Sequence, residues 1–297
     1  VSTAPAPLPG DSPGDVVVDW YASAARDLPW RQPGVDAWAV LVSEVMLQQT
    51  PVARVEPAWR AWLARWPSPA DLAAAPTGEV IRAWGKLGYP RRAMRLQAAA
   101  AAIATDHGNV VPSDVATLES LPGIGTYTAR AVACFGYGQR QPVVDTNVRR
   151  VVARLVHGRA EALPARATDL ADVEALAPAD HDRAVRFSVA VMELGALVCV
   201  ARTPRCGSCP VRTVCAWRLA GSPAHDGPPR RVQRFAGTDR QVRGRLLDVL
   251  RGTTEPVEAA QLDAVWSDPV QRSRCLDSLL SDGLVVQTDD DRFALPS

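Results

Sequence analysis

The sequence predicts a mainly α protein that ends in a small α+β module. From Val16 to about Leu219, alanine-rich segments with good helix formers alternate with turns. Almost no stretch there alternates apolar and polar residues with the period of two that marks a strand. A Pro- and Arg-rich segment, Ser222–Arg234, then separates this region from a short carboxyl-terminal part with a different pattern. We therefore expect helical domains, a linker and a separate module.

Composition limits the class of protein. The chain has 297 residues, of which 47% are apolar, and this is enough for two or more globular domains. Its net charge of +1 excludes bulk attraction to nucleic acid, so any such surface must come from local arginine clusters. No apolar run is long enough to cross a membrane, and no leader pattern is present. We expect a monomeric cytoplasmic protein with no membrane partner.

The two ends of the chain are expected to differ from its middle. Residues 1–14 are rich in Pro, Ala and Ser, which predicts a disordered tail. The carboxyl-terminal part predicts three helices followed by a hairpin, which is a winged-helix-like arrangement. The helices are expected at Gln241–Arg251, Val257–Val265 and Pro269–Leu280, and the strands at Leu284–Gln287 and Arg292–Leu295.

Four cysteines lie close together in the chain with the spacing C-x6-C-x2-C-x5-C. They are Cys199, Cys206, Cys209 and Cys215. Four thiolates in one loop can hold a structural zinc ion or an iron–sulfur cluster. Zinc sites usually consist of two C-x2–4-C pairs, whereas here one C-x2-C pair lies between two unequal arms. The spacing favours the cluster, and either centre requires a reducing compartment.

The segment Ala37–Leu47 is a candidate buried helix that carries one acid. Its apolar residues fall on all sides of a helix, and only Ser43 and Glu44 interrupt them. Burial would raise the pKa of Glu44, and a carboxylic acid that is protonated near neutral pH suits general-acid catalysis. The alternative is a structural glutamate paired with an arginine.

Two helices joined by a glycine-rich turn are predicted within Leu118–Ala133. The turn contains Gly123 and Gly125, which can adopt backbone angles that other residues resist, and the second helix begins at about Thr126. The free N–H groups at that helix start attract anions such as a DNA phosphate. An ordinary helical hairpin is the alternative, but the turn sequence favours phosphate binding.

Asp145 precedes a predicted helix, Thr146–Val156, and follows a short extended segment. A helix N-cap is the ordinary role of such a residue. Its functional alternative is a carboxylate kept ionised by the helix N–H groups near a second acid. Two carboxyl groups in opposite protonation states can cleave a glycosidic bond, with Glu44 as the acid and Asp145 as the anion.

These motifs together resemble the MutY-type adenine DNA glycosylases of the helix-hairpin-helix glycosylase superfamily. The resemblance runs from about Leu28 to Trp217. The matching segments are LPWR (28–31), SEVMLQQT (43–50), LGY (87–89), LPGIGTYTA (121–129), VDTNV (144–148), MELGALVC (192–199) and the four-cysteine loop.

The resemblance implies a fold and a domain plan. A six-helix barrel with the helix-hairpin-helix would span 37–144, and a helical domain holding a 4Fe-4S cluster on the four cysteines would span 15–36 and 145–221. The linker would be 222–237 and the winged-helix-like module 238–297. The implied partner is double-stranded DNA that contains a mismatch or an oxidised guanine, and adenine would be excised opposite 8-oxoguanine or guanine.

The resemblance also implies roles for particular residues. Glu44 would protonate adenine, Asp145 would stabilise the oxocarbenium ion, and Tyr127 and Asn147 would lie near the flipped nucleotide. Trp30 and Arg31 would line the adenine pocket, while Gln49 and Tyr89 would enter the base stack. Gly123, Gly125 and Thr126 would bind a phosphate. Further arginines near the motifs are candidates for phosphate contacts: Arg91, Arg92, Arg95, Arg149, Arg150, Arg202, Arg205 and Arg212.

Some positions depart from the family pattern, and other functions stay open. Val189 and Pro90 replace residues common in relatives, and no Nudix-like carboxyl-terminal domain is evident. An endonuclease-III-like lyase would need a nucleophilic lysine where Tyr127 stands, and the chain's single lysine is Lys86. We therefore expect a monofunctional glycosylase. The alternatives are a thymine glycosylase acting on T·G mismatches and a non-catalytic iron–sulfur DNA-damage-binding protein.

Overall fold

The computed structural model describes residues 12–225, 227 and 235–297. Residues 1–11 of the predicted tail lie outside the described residues, as do residues 226 and 228–234 of the predicted linker. The last residues of the predicted tail are ordered, because the first helix begins at Pro13 and Ser12 caps it. The described part is mainly helical, which confirms the predicted fold class. The helices are α1 Pro13–Ala24, α2 Ala37–Leu47, α3 Val52–Arg65, α4 Pro69–Ala73, α5 Thr77–Trp84, α6 Arg91–Asp106, α7 Val115–Ser120, α8 Thr126–Tyr137, α9 Thr146–Leu155, α10 Thr168–Leu176, α11 His181–Leu197, α12 Ala216–Leu219, α13 Asp239–Arg251, α14 Ala259–Asp263 and α15 Pro269–Ser281.

The chain forms two compact units. The first contains the described residues of Val1–Leu41, Ser113–Glu119 and Ile124–Pro228. The second contains Val42–Pro112, Ser120–Gly123 and the described residues of Pro229–Ser297. The predicted limits of the six-helix barrel and of the iron–sulfur domain stay a prediction, because the two compact units do not define where a barrel begins or ends.

Apolar faces and caps explain why the main helices of the first unit form. In α9, Val148, Val151, Val152 and Leu155 follow helical spacing and pack against Phe187, Ala190, Val191 and Leu194 of α11. The Asp145 side chain caps α9 and the Asp180 side chain caps α11. Capping and burial therefore act together at the start of each helix.

The carboxyl-terminal module belongs to the second unit and shares its core. Val242, Leu246 and Leu250 of α13 and Leu279 of α15 are buried in one cluster with Ile81 of α5. Arg82 of α5 donates hydrogen bonds to the carbonyl oxygens of Arg251 (3.2 Å) and Thr253 (2.7 Å). The module and helix α5 therefore share one hydrophobic core and are joined by hydrogen bonds.

The module matches its predicted pattern, with one difference. Strands β1 (Val286–Gln287) and β2 (Phe293–Ala294) pair antiparallel, so the hairpin is confirmed. The helix predicted at Val257–Val265 is shorter, because Val257 exchanges two backbone hydrogen bonds with Phe293 (2.8 and 2.9 Å) and so extends the hairpin. Helix α14 begins beyond it, at Ala259.

Within the part of the chain that the structure describes, no helix is both long enough and apolar enough to cross a membrane.

Candidate active site

Helix α2 places one carboxyl group in the interior of the protein. It spans Ala37–Leu47, as the sequence predicts. Glu44 is 5% exposed and the neighbouring Ser43 is fully buried, as are Leu41, Val42 and Met46 of the same helix. The predicted burial of Glu44 is therefore confirmed.

The loops that follow α2 and α5 are held together by a buried arginine. Arg92, in the first turn of α6, is 7% exposed. Its Nη1 donates to the carbonyl oxygens of Val45 (2.8 Å), Met46 (3.1 Å) and Gln48 (2.6 Å). These are the free carbonyls that the end of a helix leaves without intrahelical partners.

The second nitrogen of the same guanidinium holds the other loop. Arg92 Nη2 donates to the carbonyl oxygens of Leu87 (3.1 Å) and Gly88 (2.9 Å) and to Thr50 Oγ1 (3.0 Å). The guanidinium also lies 5.1 Å from the ring centroid of Trp84. Burial lowers the pKa of Arg92 to about 10, so the side chain remains charged at neutral pH.

Arg92 contacts the backbone beside two strained residues. Gln49 (φ 57°) and Tyr89 (φ 48°) are non-glycine residues in the left-handed region, which costs about 1 kcal/mol or more for each. The carbonyls of Gln48 and Gly88, one residue before each, both accept hydrogen bonds from Arg92. One side chain thus fixes the two exposed residues that the resemblance places in the base stack.

Several arginines suggested as phosphate ligands instead bind protein atoms. For Arg92 that suggestion is wrong, because the side chain is buried among carbonyls. Arg149 is paired with Asp169 (2.8 Å), and Arg150 donates to the carbonyl oxygens of Cys199 (2.7 Å) and Gly195 (2.7 Å). Arg202, Arg205 and Arg212 of the cysteine loop are exposed.

The helix-hairpin-helix turn has the form expected of an anion site. Leu121 and Ile124 are buried, while Gly123, Gly125 and Thr126 are exposed. Gly123 has φ +77°, a backbone conformation that favours glycine, and a Cβ there would lie 2.7 Å from Arg95 Cβ. Both the backbone angle and the lack of space therefore require glycine. Gly125 caps α8 without a side-chain hydrogen bond, which leaves the first N–H groups of α8 directed at the loop.

Asp145 is both an N-cap and the centre of a small polar cluster. Its Oδ1 accepts from the Val148 N–H (2.7 Å), and its Oδ2 accepts from Asn147 Nδ2 (2.8 Å). Arg150 Nη2 donates in turn to Asn147 Oδ1 (2.8 Å). Burial raises the pKa of Asp145, and it outweighs the opposing hydrogen bonds and the charge of Arg150.

Gly195 of α11 allows close packing against Asn147 of the Asp145 cluster. A Cβ on Gly195 would lie 2.7 Å from Asn147 Cβ and 3.0 Å from the Asn147 carbonyl oxygen. The first turn of α9 therefore packs directly on the backbone of α11. Tyr127, half-buried in the first turn of α8, packs against Ala131, Cys134 and Val143.

The predicted adenine-pocket residues lie beside a fully buried carboxylate. Trp30 is 6% exposed, and Arg31 Nη1 donates to Glu193 Oε2 (3.0 Å). Glu193 is also bound by Arg26, through Nε (2.6 Å), Nη2 (2.8 Å) and the backbone N–H (3.0 Å).

Glu193 keeps its charge in this position. Burial is the largest influence and raises the pKa of Glu193, but the hydrogen bonds of Arg26 and the charges of Arg31 and Arg26 outweigh it. The pKa of Glu193 consequently lies below its ordinary value of 4.5. The carboxylate is therefore an anchor for Arg31 and for the chain entering the pocket segment.

Sequence reasoning assigned no role to Glu193 or to the interior position of Arg92. The signal for Glu193 is a lone acid in an apolar helical segment, the argument that applied to Glu44. The sequence holds no comparable signal for Arg92, because it is one of three arginines near the start of α6 and nothing distinguishes it from the other two. In the structure Arg91 and Arg95 are exposed.

The four cysteines lie in one partly buried loop that packs on the core of the first unit. Cys199, Cys209 and Cys215 contact the apolar cluster that contains Val151 and Val211. Burial, with smaller contributions from the charges of the other three thiols, raises the pKa of the Cys209 thiol to about 11. The four thiols are therefore close enough to influence one another. Within the described ranges, no group of three or more His, Cys, Asp or Glu residues is arranged to hold a metal ion.

A buried cation accompanies the sulfurs. Arg154 is 4% exposed, and its Nη1 donates to Cys199 Sγ (3.4 Å) and to the Val200 carbonyl oxygen (2.8 Å). Cys215 Sγ donates to the Arg154 carbonyl oxygen (3.4 Å). A positive charge held against the loop fits an anionic iron–sulfur centre on four thiolates.

The helical architecture and the helix-hairpin-helix turn are those of the DNA glycosylases of the helix-hairpin-helix class. Comparisons with known proteins support this class. Residues 42–170 match the HhH-GPD superfamily of base excision DNA repair proteins. A solved thermostable thymine-DNA glycosylase is similar over 70% of this chain and 95% of its own, with a TM-score of 0.64 and 25% identity.

Two curated relatives narrow the family. An adenine DNA glycosylase of Mycolicibacterium smegmatis is 65% identical over 94% of this chain and 94% of its own length. One of Mycobacterium tuberculosis is 63% identical over 93% of this chain and 91% of its own. The chain belongs to the adenine DNA glycosylases of the MutY type, within the HhH-GPD superfamily.

Replacing Arg92 should loosen both loops that it holds. We expect Arg92→Met to lower the free energy of unfolding by about 3 kcal/mol, because several buried carbonyls lose their donor at once. Arg92→Lys keeps the charge but cannot donate to both loops, so it should restore only part of the loss. Urea unfolding followed by circular dichroism measures this.

The control for Arg92 is Arg95→Met, one turn along α6 and exposed. It should change stability by less than about 0.5 kcal/mol. Equal stability of the Arg92→Met and Arg95→Met proteins would refute the role assigned to Arg92.

Removing the charge of Glu193 should destabilise the protein in a pH-dependent way. The pKa of Glu193 is lowered on folding, so its stabilisation is present above 4.5 and is lost as the pH falls through the folded pKa. We expect Glu193→Gln to cost about 2 kcal/mol at pH 7, a cost that shrinks as the wild-type carboxylate becomes protonated. Unfolding measured between pH 3 and pH 7 tests this.

Glu56→Gln provides the matched control for Glu193. Its side chain is 40% exposed and pairs with Arg60 on the surface of α3. Such pairs contribute about 0.5 kcal/mol. A cost for Glu193→Gln that does not vary with pH would contradict the ion-pair account.

Proposed function

We propose that this protein hydrolyses the N-glycosidic bond of adenine mispaired with 8-oxoguanine or guanine in duplex DNA. The observation that carries the proposal is 65% identity with an adenine DNA glycosylase over 94% of both chains. Two carboxyl groups of the described residues support it further. Glu44 is buried in helix α2, and Asp145 accepts hydrogen bonds from Val148 and Asn147.

In the proposed reaction Glu44 is the acid. Its carboxyl proton passes to a ring nitrogen of adenine, which makes the purine a better leaving group. The bond between C1′ and the base then breaks, and its electron pair leaves with adenine. After departure, water adds to C1′ and its proton returns to the Glu44 carboxylate, so that atoms and charge balance.

Asp145 stabilises the positive charge that develops on the sugar. Its two oxygens are already oriented by Val148 and Asn147, so little reorganisation is needed when that charge appears. Asn147 is fixed through Arg150, and Tyr127 lies in the first turn of the hairpin's second helix. Trp30 and Arg31 contribute to the pocket for the everted base, and Glu193 binds Arg31.

The DNA backbone and base stack are contacted elsewhere on the chain. The exposed turn at Gly123, Gly125 and Thr126 offers N–H groups to a phosphate. Gln49 and Tyr89 fill the space left by the everted adenine. Because Tyr127 occupies the place of a lyase lysine, the enzyme is monofunctional and forms no Schiff base. We propose that it acts as a monomer in the reducing cytoplasm.

Cys199, Cys206, Cys209 and Cys215 hold a 4Fe-4S cluster in this proposal. When bound, the cluster would crosslink the loop as a structural element. The loop's own exposed arginines, Arg202, Arg205 and Arg212, then contact the DNA backbone.

Single-turnover base release tests the reaction. Duplexes with A opposite 8-oxoguanine, A opposite G and T opposite G are compared for the wild-type protein and for Glu44→Gln. We expect release of adenine from the first two, and a loss of at least about 100-fold in Glu44→Gln because the proton donor is removed. Glu56→Gln, an exposed acid on α3, should behave as wild type.

Other outcomes would point to the alternatives. Release of thymine alone would identify a T·G glycosylase, and undiminished release by Glu44→Gln would remove the assigned acid. Efficient borohydride trapping of the enzyme on DNA would contradict the monofunctional mechanism.

Metal analysis tests the cluster. We expect about four iron and four sulfide ions per wild-type chain, and loss of both in Cys206→Ala. Cys275→Ala, at a buried cysteine in the core of the carboxyl-terminal module, should retain them. One zinc ion per chain in place of iron would contradict the proposal.

A further inference from the structure

An exposed arginine lies between two exposed aromatic rings in the second unit. The guanidinium of Arg240, in the first turn of α13, is 5.7 Å from the ring centroid of Tyr89 and 5.5 Å from that of Phe235. Its Nη1 also donates a hydrogen bond to the Tyr89 hydroxyl (2.7 Å). Tyr89 is 43% exposed and Phe235 is 54% exposed. We call these three side chains the aromatic–arginine stack.

The stack joins two segments that are far apart in sequence. Tyr89 belongs to the loop before α6, whereas Arg240 belongs to the carboxyl-terminal module and Phe235 to the segment just before it. Arg240 makes two contacts with Tyr89, a hydrogen bond to its hydroxyl and a cation–π contact with its ring. The interaction therefore depends on both parts of the tyrosine side chain.

The module is firmly attached where it makes this contact. Asp282, at the end of α15, pairs with Arg91 at the start of α6 (3.2 Å) and with Arg243 of α13 (2.6 Å). Ile81 of α5 is buried in the core of the module. The module that carries Arg240 is therefore held by α5 and by α6, the helices before and after the loop that carries Tyr89.

Tyr89 is already constrained from the interior. Arg92 binds the Gly88 carbonyl, and its guanidinium lies 5.8 Å from the Tyr89 ring centroid. Arg92 thus fixes the backbone of Tyr89, while Arg240 contacts the far end of the side chain, at its hydroxyl.

A side chain that enters a base stack binds more tightly when its rotamer is set beforehand. Ordering a free side chain on binding costs about 0.5–1.5 kcal/mol, and a preorganised one avoids that cost. Aromatic and arginine side chains also stack on bases of any sequence. A ring held between two cations is therefore suited to insertion next to a mispair.

We propose that Arg240 is a positioning residue for Tyr89, through which the carboxyl-terminal module takes part in mispair recognition. Arg240 holds the tyrosine ring in the orientation that enters the base stack. The ring of Phe235 also contacts the Arg240 guanidinium and helps to hold it in place. This inference rests on the proposed function, because it assigns Tyr89 to the base stack.

A double-mutant cycle tests the inference. Binding to a duplex with A opposite 8-oxoguanine is measured for wild type, Arg240→Ala, Tyr89→Leu and the double variant. We expect each single substitution to weaken binding about tenfold, and the double variant to bind no more weakly than Tyr89→Leu. Arg240→Lys keeps the cation but not the planar fork, and it should recover part of the loss.

Two further measurements separate positioning from a structural role. A 2-aminopurine base beside the mispair should fluoresce more strongly when Tyr89 enters the stack, and this signal should fall in Arg240→Ala. Tyr89→Phe keeps the ring and removes only the hydroxyl, so it should weaken binding about threefold. Thermal unfolding of all these proteins should match wild type, because the stack is exposed.

Arg245→Ala is the matched control. Arg245 lies on the same helix, is exposed, and makes an equivalent contact with the ring of Trp266 (5.1 Å). It should bind the mispair as wild type does.

Additive losses in the cycle would overturn the inference, since Arg240 would then act on DNA without Tyr89. Unchanged binding and fluorescence in Arg240→Ala would also overturn it. These readouts need no base release. A wild-type protein that inserts Tyr89 but frees no adenine would therefore contradict the proposed function and leave the inference supported.

Discussion

The burial of Arg92 is the constraint on which the second unit depends. A guanidinium is costly to bury unless its N–H groups find acceptors. Nη1 and Nη2 of Arg92 bind backbone carbonyls at the end of α2 and in the loop before α6, while its Nε has no hydrogen-bond partner. The arginine thereby converts two irregular segments into fixed ones. Gln49 and Tyr89 can remain in strained conformations because the peptide groups next to them are bound.

The first unit uses buried charges in the same way. Glu193 binds Arg26 and Arg31, and Arg154 donates to Cys199 Sγ and to the Val200 carbonyl oxygen. In each case one charged side chain satisfies several polar groups of a loop that lacks regular structure. Such groups are costly to leave unpaired, so these charges specify one loop conformation.

Each unit buries charged or titratable side chains of the proposed reaction. Glu44 is buried in the second unit, and Asp145 of the first unit is oriented by the Val148 N–H and by Asn147. The carboxyl-terminal module is not an appendage of this arrangement, since it shares the core that contains Ile81 and contacts Tyr89.

The sequence by itself determined the local features. An apolar run predicted α2 to the residue, and the glycine-rich turn predicted the start of α8. The Asp145 cap could be inferred from its position, and an acid in an all-apolar helix predicted the burial of Glu44. These follow from contacts within a few residues. Only the tertiary structure decided that Arg92 faces inward while Arg91 and Arg95 are exposed, and that Val257 joins a strand. It alone brought Arg240 to Tyr89. Those outcomes depend on acceptors far away in the chain, which no local pattern encodes.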